Sequence, residues 1–341
     1  MDEINIWLVG GGLAIGAIFA IVVQQFRFCL VAGTSNLLLI KDTRQAVAFA
    51  TALLIGITGT QALELTDTVA IADSPYRNST LDWFGALVGG IIFGMGATIA
   101  GGCAARTLVK SMEGSIHALI ALFSFMIVAA IAQFGFLETA RIDLTHATSI
   151  ELTTDAGIAS ILSLSPWVVL VVVAAGLSLF ILKSVKEHGL DKTMLVVGLV
   201  VGLLVVASWY ITGVVAQDEF DPVNPSAITM SGPFARFGYI IISGRIPALS
   251  FAISFVIGTA VISFLSALVT GRFNITTPQK GMAKMALIGG SLMGIGGIMA
   301  YGCNIGQGLS GISTLSLESL LAVIGMISGV GIVTKWMEKN A

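Results

Sequence analysis

The chain has 341 residues, of which 56% are hydrophobic and only 11% charged, with a formal net charge of −2. An average soluble domain carries roughly a quarter charged residues, so these proportions exclude a water-soluble globular fold and imply an integral membrane protein. The lack of a basic excess argues against nucleic acid as a partner, no GxxxxGK[ST] phosphate loop is present to hydrolyse ATP, and three cysteines with three dispersed histidines (His117, His146, His188) form neither a disulfide framework nor a metal-ligand spacing. No metal and no cofactor is expected.

Along the chain, "MDEIN" is acidic and is followed by apolar sequence from Ile6 to about Phe26. This run is too long for the apolar core of a signal peptide and ends in "QQFRF" rather than small residues, so it reads as a retained first span. A bilayer core requires about 20 apolar residues per helix. Segments of that kind fall at 6–26, 46–65, 83–101, 116–137, 166–182, 194–215, 247–270, 284–301 and 319–336. The prediction is an all-α membrane protein of about nine transmembrane helices. Arg27, Lys41 and Arg44 follow the first span, Arg106 and Lys110 the third, Lys183, Lys186 and Lys192 the fifth, Arg272, Lys280 and Lys284 the seventh, and Lys335 and Lys339 the ninth. Intervening loops such as "LTDTVAIADSP" and "AQDEFDPVNP" are acidic. The positive-inside rule then places the N-terminus outside and the C-terminus in the cytoplasm.

Three apolar stretches are too short to span: 29–40, 103–109 and 303–315, each opening on a cysteine. They have the length of re-entrant half-helices. The stretch 271–281, "GRFNITTPQKG", is expected to be a fourth, since its "RFN" echoes "RFC" at 27–29.

Residues 89–103, "GGIIFGMGATIAGGC", align without a gap on 289–303, "GGSLMGIGGIMAYGC", at a constant offset of 200. Glycines, an alanine and the terminal cysteine coincide. The bland reading, small-residue helix packing of the GxxxG kind, accounts for the glycines but not for the cysteines. An internal duplication accounts for both. The copies lie on the third and eighth spans, and an odd separation makes the repeat inverted. The predicted division is a first half at 1–137, a connecting span and loops at 138–193, and a second half at 194–341, in a single transport domain. Proteins built this way bind substrate between the repeats at broken helices, whose N-terminal ends favour anions. Gly101, Gly102 and Gly302 supply the breaks, and Cys103 and Cys303 are expected as first-turn residues of the half-helices.

A thiol at such a position experiences two opposed influences, the helix terminus favouring thiolate and burial opposing it. A thiolate would repel an anion, so neutral S–H groups acting as weak, polarizable donors are expected, suited to a soft sulfur-containing anion. Conduction needs weak sites in series, and three thiols make such a series. Each has a plainer alternative as a small buried hydrophobe. Arg106 and Arg27 stand within three residues of a cysteine, placed either to attract anions or to anchor the helix ends. Asn304 and Gln307 offer amide donors to a guest or serve the loop backbone. Glu64 and Glu318 lie near span ends.

"RFC" before a half-helix, "GGCAAR", "GCNIGQG" and "GRFN" on a nine-span chain resemble the YeeE/YedE sulfur-transport family, and in particular its thiosulfate-uptake members. The resemblance implies an hourglass-like monomer of inverted halves in the cell inner membrane, importing thiosulfate past cysteines that correspond to Cys29, Cys103 and Cys303, with transient S–H hydrogen bonds and no aqueous channel. It implies that the chain is not an enzyme, and it adds a separate small TusA-like cytoplasmic sulfur carrier as a partner. Asn274, where a more symmetric relative would place a cysteine, fits the three-cysteine pattern. The alternatives are a transporter of another sulfur or selenium species, or a membrane thiol-redox or sulfur-transfer protein. The latter requires reactive thiolates with a resolving partner, and the sequence has no CxxC pair.

Overall fold

The computed structural model describes residues 5–217, 223–244, 249–279 and 281–340. Lys280 and the acidic residues Asp2 and Glu3 lie outside the described residues. In chain order the helices are α1 (Ile6–Phe26), α2 (Leu30–Ile40), α3 (Arg44–Leu65), α4 (Trp83–Ile99), α5 (Ala104–Met112), α6 (Ile116–Phe134), α7 (Leu137–Thr148), α8 (Ile158–Ile161), α9 (Pro166–His188), α10 (Lys192–Tyr210), α11 (Ser231–Ser243), α12 (Phe251–Val269), α13 (Met282–Met299) and α14 (Leu317–Lys339). Two-residue strands β1 (Thr80–Leu81) and β2 (Ile150–Glu151) pair antiparallel. Two π-helical segments, Ile211–Val215 and Gly306–Gly311, extend α10 and precede α14.

Nine helical stretches among the described residues are long and apolar enough to cross a bilayer. They coincide with the nine predicted from hydropathy, and the protein is an all-α, multi-pass membrane protein in contact with the lipid bilayer. Their starts follow from side-chain chemistry. Asn5, Asp82, Ser115, Asp191, Ser250 and Ser316 each accept a backbone N–H of the first turn, satisfying a donor that lipid would leave unpaired. α9 begins with Pro166 at its first turn, where the missing N–H costs nothing. It packs on α3 and carries exposed Trp167, Val171, Val172, Leu179 and Leu182. Such an apolar exterior suits a lipid-facing helix between the two halves.

The packing is reciprocal. α1 lies on α12 as α10 lies on α3; α4 lies on α14 as α13 lies on α6; α2 lies against α14 as α11 lies against α6. At the centre α4 and α13 cross antiparallel. A Cβ on Gly96 would stand 2.6 Å from Met293 N and 2.7 Å from Gly289 O, while one on Gly289 would stand 2.5 Å from Ala100 N and 2.7 Å from Gly96 O. Gly89 and Gly296 face each other in the same way, at 2.9 Å and 2.6 Å from one another's carbonyl oxygen. The repeated glycines therefore pack crosswise, Gly89 on Gly296 and Gly96 on Gly289, and only hydrogen side chains allow this approach.

A second pairing was hidden from sequence alignment. Gly12 and Gly16 of α1 press on the Phe251 and Phe255 carbonyls, and Gly198 and Gly202 of α10 press on those of Ala48 and Ala52. The offset here is not 200, because loops of different length intervene.

Two sequence expectations are corrected. The stretch 271–279 is not a half-helix: Asn274 N donates to Glu113 O, and Thr276 forms a strand-like bridge with Ser115. The short helix that packs as the counterpart of α2 is α11, unread in the sequence because the preceding loop is long and polar. Its N-cap is Met230, whereas the N-cap of α2 is Cys29. The place of a symmetric fourth cysteine is therefore Met230 and not Asn274. The surface helix α7, with no buried residue, was also unread.

Candidate substrate site at the two helix breaks

The breaks after α4 and α13 are built by the same backbone bonds. Gly102 N donates to Ala97 O and Gly302 N to Gly297 O, each at 2.9 Å; Thr107 N donates to Cys103 O and Gln307 N to Cys303 O, each at 2.8 Å. The turning residue is left-handed in both, Gly101 at φ 76° and Tyr301 at φ 53°. The bond two residues beyond the helix end is that of a Schellman stop. At the first break the chain resumes as α5 with Cys103 as N-cap, and at the second it passes through a turn into the π-helical segment. The expectation that both cysteines sit inside the first helical turn is corrected accordingly: Cys103 caps its helix, and Cys303 stands ahead of its own.

All three thiols are buried, Cys29 at 2% exposure and Cys103 and Cys303 at 0%. They make two stations rather than three. Cys29 and Cys103 are close enough to interact directly, with the backbone N–H groups of Ala32 and Arg106 beside their sulfurs. Cys303 stands apart, within electrostatic range of Cys103 and of Tyr76.

Arg27, two residues before Cys29, and Arg106, three after Cys103, line a cavity of about 640 Å³ together with Lys110 and Arg272, with Glu113 as its one carboxylate. Arg27 adopts φ 56° between α1 and α2, which turns the chain from one helix to the next. Arg106 packs along Gly102, where a Cβ would come 3.3 Å from its Cγ. Lys110 Nζ donates to Gly101 O at 3.0 Å, neutralising the negative end of α4. Four cations around an open cavity create a positive potential that concentrates anions.

The surroundings of Cys303 are neutral. Gln307 is spent on structure, its Nε2 donating to Ala300 O at 2.7 Å and its Oε1 accepting from Ser319 Oγ at 2.5 Å. One amide N–H and the carbonyl oxygen are thus held by the fold, and the side chain locks the break. Gly302 makes room for it, since a Cβ there would stand 2.9 Å from Gln307 Cγ. Asn304, in contrast, has neither amide atom paired among the described residues.

Sequence reasoning missed Tyr76, whose hydroxyl lies with that of Thr229 beside Gly306, 3.5 Å from where a Cβ would stand. Burial pushes its phenol above the usual range, so it stays neutral. Arg77 was missed as well. Buried at 8% exposure, it pairs with Asp155 and with Glu64 at 3.5 Å and donates to Thr314 O at 2.7 Å, pinning the 66–82 loop to the end of the second break. Glu64 is accounted for by that pairing. No spacing in a single sequence marks Tyr76 or Arg77, because both reach the site through a loop.

An inverted pair of broken helices with buried thiols and a cationic vestibule, within nine membrane-spanning stretches among the described residues, has the architecture of a membrane transporter. The sequence profile described as sulphur transport matches residues 26–332, and the chain belongs to that family of transport proteins. It is 25% identical over 342 residues to the thiosulfate transporter TsuA of Escherichia coli (strain K12), covering 95% of this chain and 93% of that one. It is 27% identical over 337 residues to the thiosulfate transporter TsuA of Spirochaeta thermophila, covering 94% and 97% respectively.

Proposed function

We propose that this sulfur transporter imports thiosulfate across the cell inner membrane, handing the anion from Cys303 to the Cys29–Cys103 pair and then into the cationic cavity. The observation that carries the reading is that Cys103 and Cys303 stand on repeat-related breaks, with Arg27 and Arg106, close in sequence to Cys29 and Cys103, lining a cavity with four cations. The names of the two relatives supply the substrate. Neutral thiols donate weakly, and a soft terminal sulfur accepts from them without being trapped. Gly102 and Gly302 keep the breaks open, Arg106 and Arg27 draw the anion out of the cysteine pair, and Gln307 holds the outer break in shape.

The distribution of Lys and Arg supports a cytoplasmic side for the cationic cavity, with the N-terminus outside and the C-terminus inside. The two halves, 1–137 and 194–341, are joined by the connecting stretch 138–193, in which α9 faces lipid. Entry of an anion against the membrane potential costs about 2.3 kcal/mol per charge per 100 mV, so coupling to an ion or rapid consumption must drive it. A small TusA-like carrier docking at the cavity mouth would serve the second route. The test is uptake of radiolabelled thiosulfate by cells lacking their own sulfate and thiosulfate importers. Cys303→Ala and Cys103→Ala should abolish uptake while the folded protein stays in the membrane, and sulfate should compete poorly. Uptake by either variant at the wild-type rate would falsify the thiol path, and preferential competition by selenite or sulfide would move the substrate to another chalcogen species.

A further inference from the structure

The segment from Cys303 to Ser316 carries six polar side chains, and the fold satisfies five of them. Gln307 bonds Ala300 and Ser319; Ser310 Oγ donates to Ile228 O at 2.7 Å; Ser313 donates to Ser310 O and accepts from Trp209 Nε1; Thr314 donates to Gly311 O; Ser316 caps α14. Asn304 is the exception. Its side chain is 0% exposed, and neither Nδ2 nor Oδ1 has a hydrogen-bond partner among the described residues. Burying an unpaired amide is unfavourable, and nothing in the packing demands one: the equivalent residue of the other repeat is Ala104, equally buried at 0% exposure. Asn304 follows Cys303 directly in the chain, and a Cβ on Gly308 would meet the Asn304 Cβ, the ring of Phe49 and a methyl of Val323. Phe49 is stacked on Phe28, the residue before Cys29. Gly308, Phe49 and Phe28 thus connect the surroundings of Asn304 with the residue before Cys29.

We propose that Asn304 is a specificity-determining residue of the Cys303 station, its amide N–H groups binding the oxygen end of a small tetrahedral oxyanion whose sulfur end meets the thiol. The inference rests on the transport reading above and deepens it. An anion with one soft and several hard atoms is recognised at both ends, whereas an all-oxygen anion satisfies the amide and leaves the thiol unused. A neutral amide also binds an anion without the tight grip of a guanidinium, which suits a station that must release its guest.

The purified full-length protein in detergent and the same protein in proteoliposomes give the two readouts. Asn304→Leu, close in volume and unable to hydrogen-bond, should leave the unfolding midpoint without anion unchanged or raised, because an unpaired buried amide is removed. It should also abolish the rise in midpoint produced by thiosulfate and raise the KM for uptake about tenfold or more, the effect of one hydrogen bond to a charged group. Asn304→Ala provides the same comparison if leucine overfills the site, and Asn304→Asp, which adds repulsion, should lose more than either. Wild-type KM and wild-type thiosulfate response in Asn304→Leu and Asn304→Ala would overturn the proposal. So would a lowered midpoint with the thiosulfate response intact, since that identifies a structural amide. A wild-type protein that takes up no thiosulfate overturns the functional reading alone; the Asn304 site falls when wild type and Asn304→Leu respond alike to thiosulfate, sulfate and sulfite in the midpoint assay.

Discussion

The break at 101–103 and the break at 301–303 share a backbone and differ in nearly every side chain that follows. After Cys103 come Arg106 and Lys110, a regular helix and a partner thiol; after Cys303 come Asn304 and Gln307, a π-helical turn and a web of neutral hydrogen bonds. The shared part is what stops a helix in lipid, where every freed backbone group must find a partner. The divergent part is the side-chain chemistry that each break presents. One backbone stop thus serves two different chemistries, cationic after the first break and neutral after the second.

If the two breaks are held by a common central contact, substitutions at counterpart glycines should fail together. Gly96→Leu and Gly296→Leu each drive a side chain into the opposing backbone, Met293 N at 2.6 Å in one case and Gly89 O at 2.6 Å in the other. Backbone cannot rotate away, so both variants should yield no monodisperse protein on size-exclusion chromatography. A well-folded variant at only one of the two positions would break the equivalence.

The side-chain web should show the asymmetry. Gln307→Leu leaves the Ala300 carbonyl and the Ser319 hydroxyl unpaired and should lower stability by about 1–3 kcal/mol. Its counterpart Thr107 makes a single longer bond, Thr107 Oγ1 to Gly102 O at 3.3 Å, so Thr107→Val should cost less. Thermal unfolding in detergent ranks them, and equal losses would contradict the view that only the second break is locked by side chains.

The smallest effect is expected at the left-handed residues. Gly101 has open space around a would-be Cβ, so Gly101→Ala reports backbone conformation alone and should destabilise by about 1–2 kcal/mol. Tyr301→Gly removes that same strain at φ 53° and should be neutral or slightly stabilising. A loss on Tyr301→Gly would mean that the ring packs usefully despite its half exposure.

Much was legible without coordinates. Hydropathy counts nine spans because lipid demands continuous apolar length; the offset of 200 between "GGIIFGMGATIAGGC" and "GGSLMGIGGIMAYGC" marks the central helix pair because glycines needed for backbone contact cannot drift. The half-helices after Cys29 and Cys103 are visible as apolar runs too short to span. Beyond these, local pattern misleads. The echo of "RFC" in "RFN" pointed to 271–281, yet the counterpart of α2 is α11, because equivalence is set by which helix a segment packs on and not by three shared letters. Gln307 and Asn304, three residues apart and alike as amides, have opposite situations.

What the amino-acid sequence by itself determined is the membrane class, the number of spans and the existence of an inverted pair of breaks, since these depend on composition and on short-range spacing. Only the tertiary structure decided that Cys29 joins Cys103 while Cys303 stands apart, that Arg27, Arg106, Lys110 and Arg272 converge on one cavity, and which amide is spent and which is free. Those facts depend on groups brought together from distant parts of the chain, and distance in the sequence carries no record of such meetings.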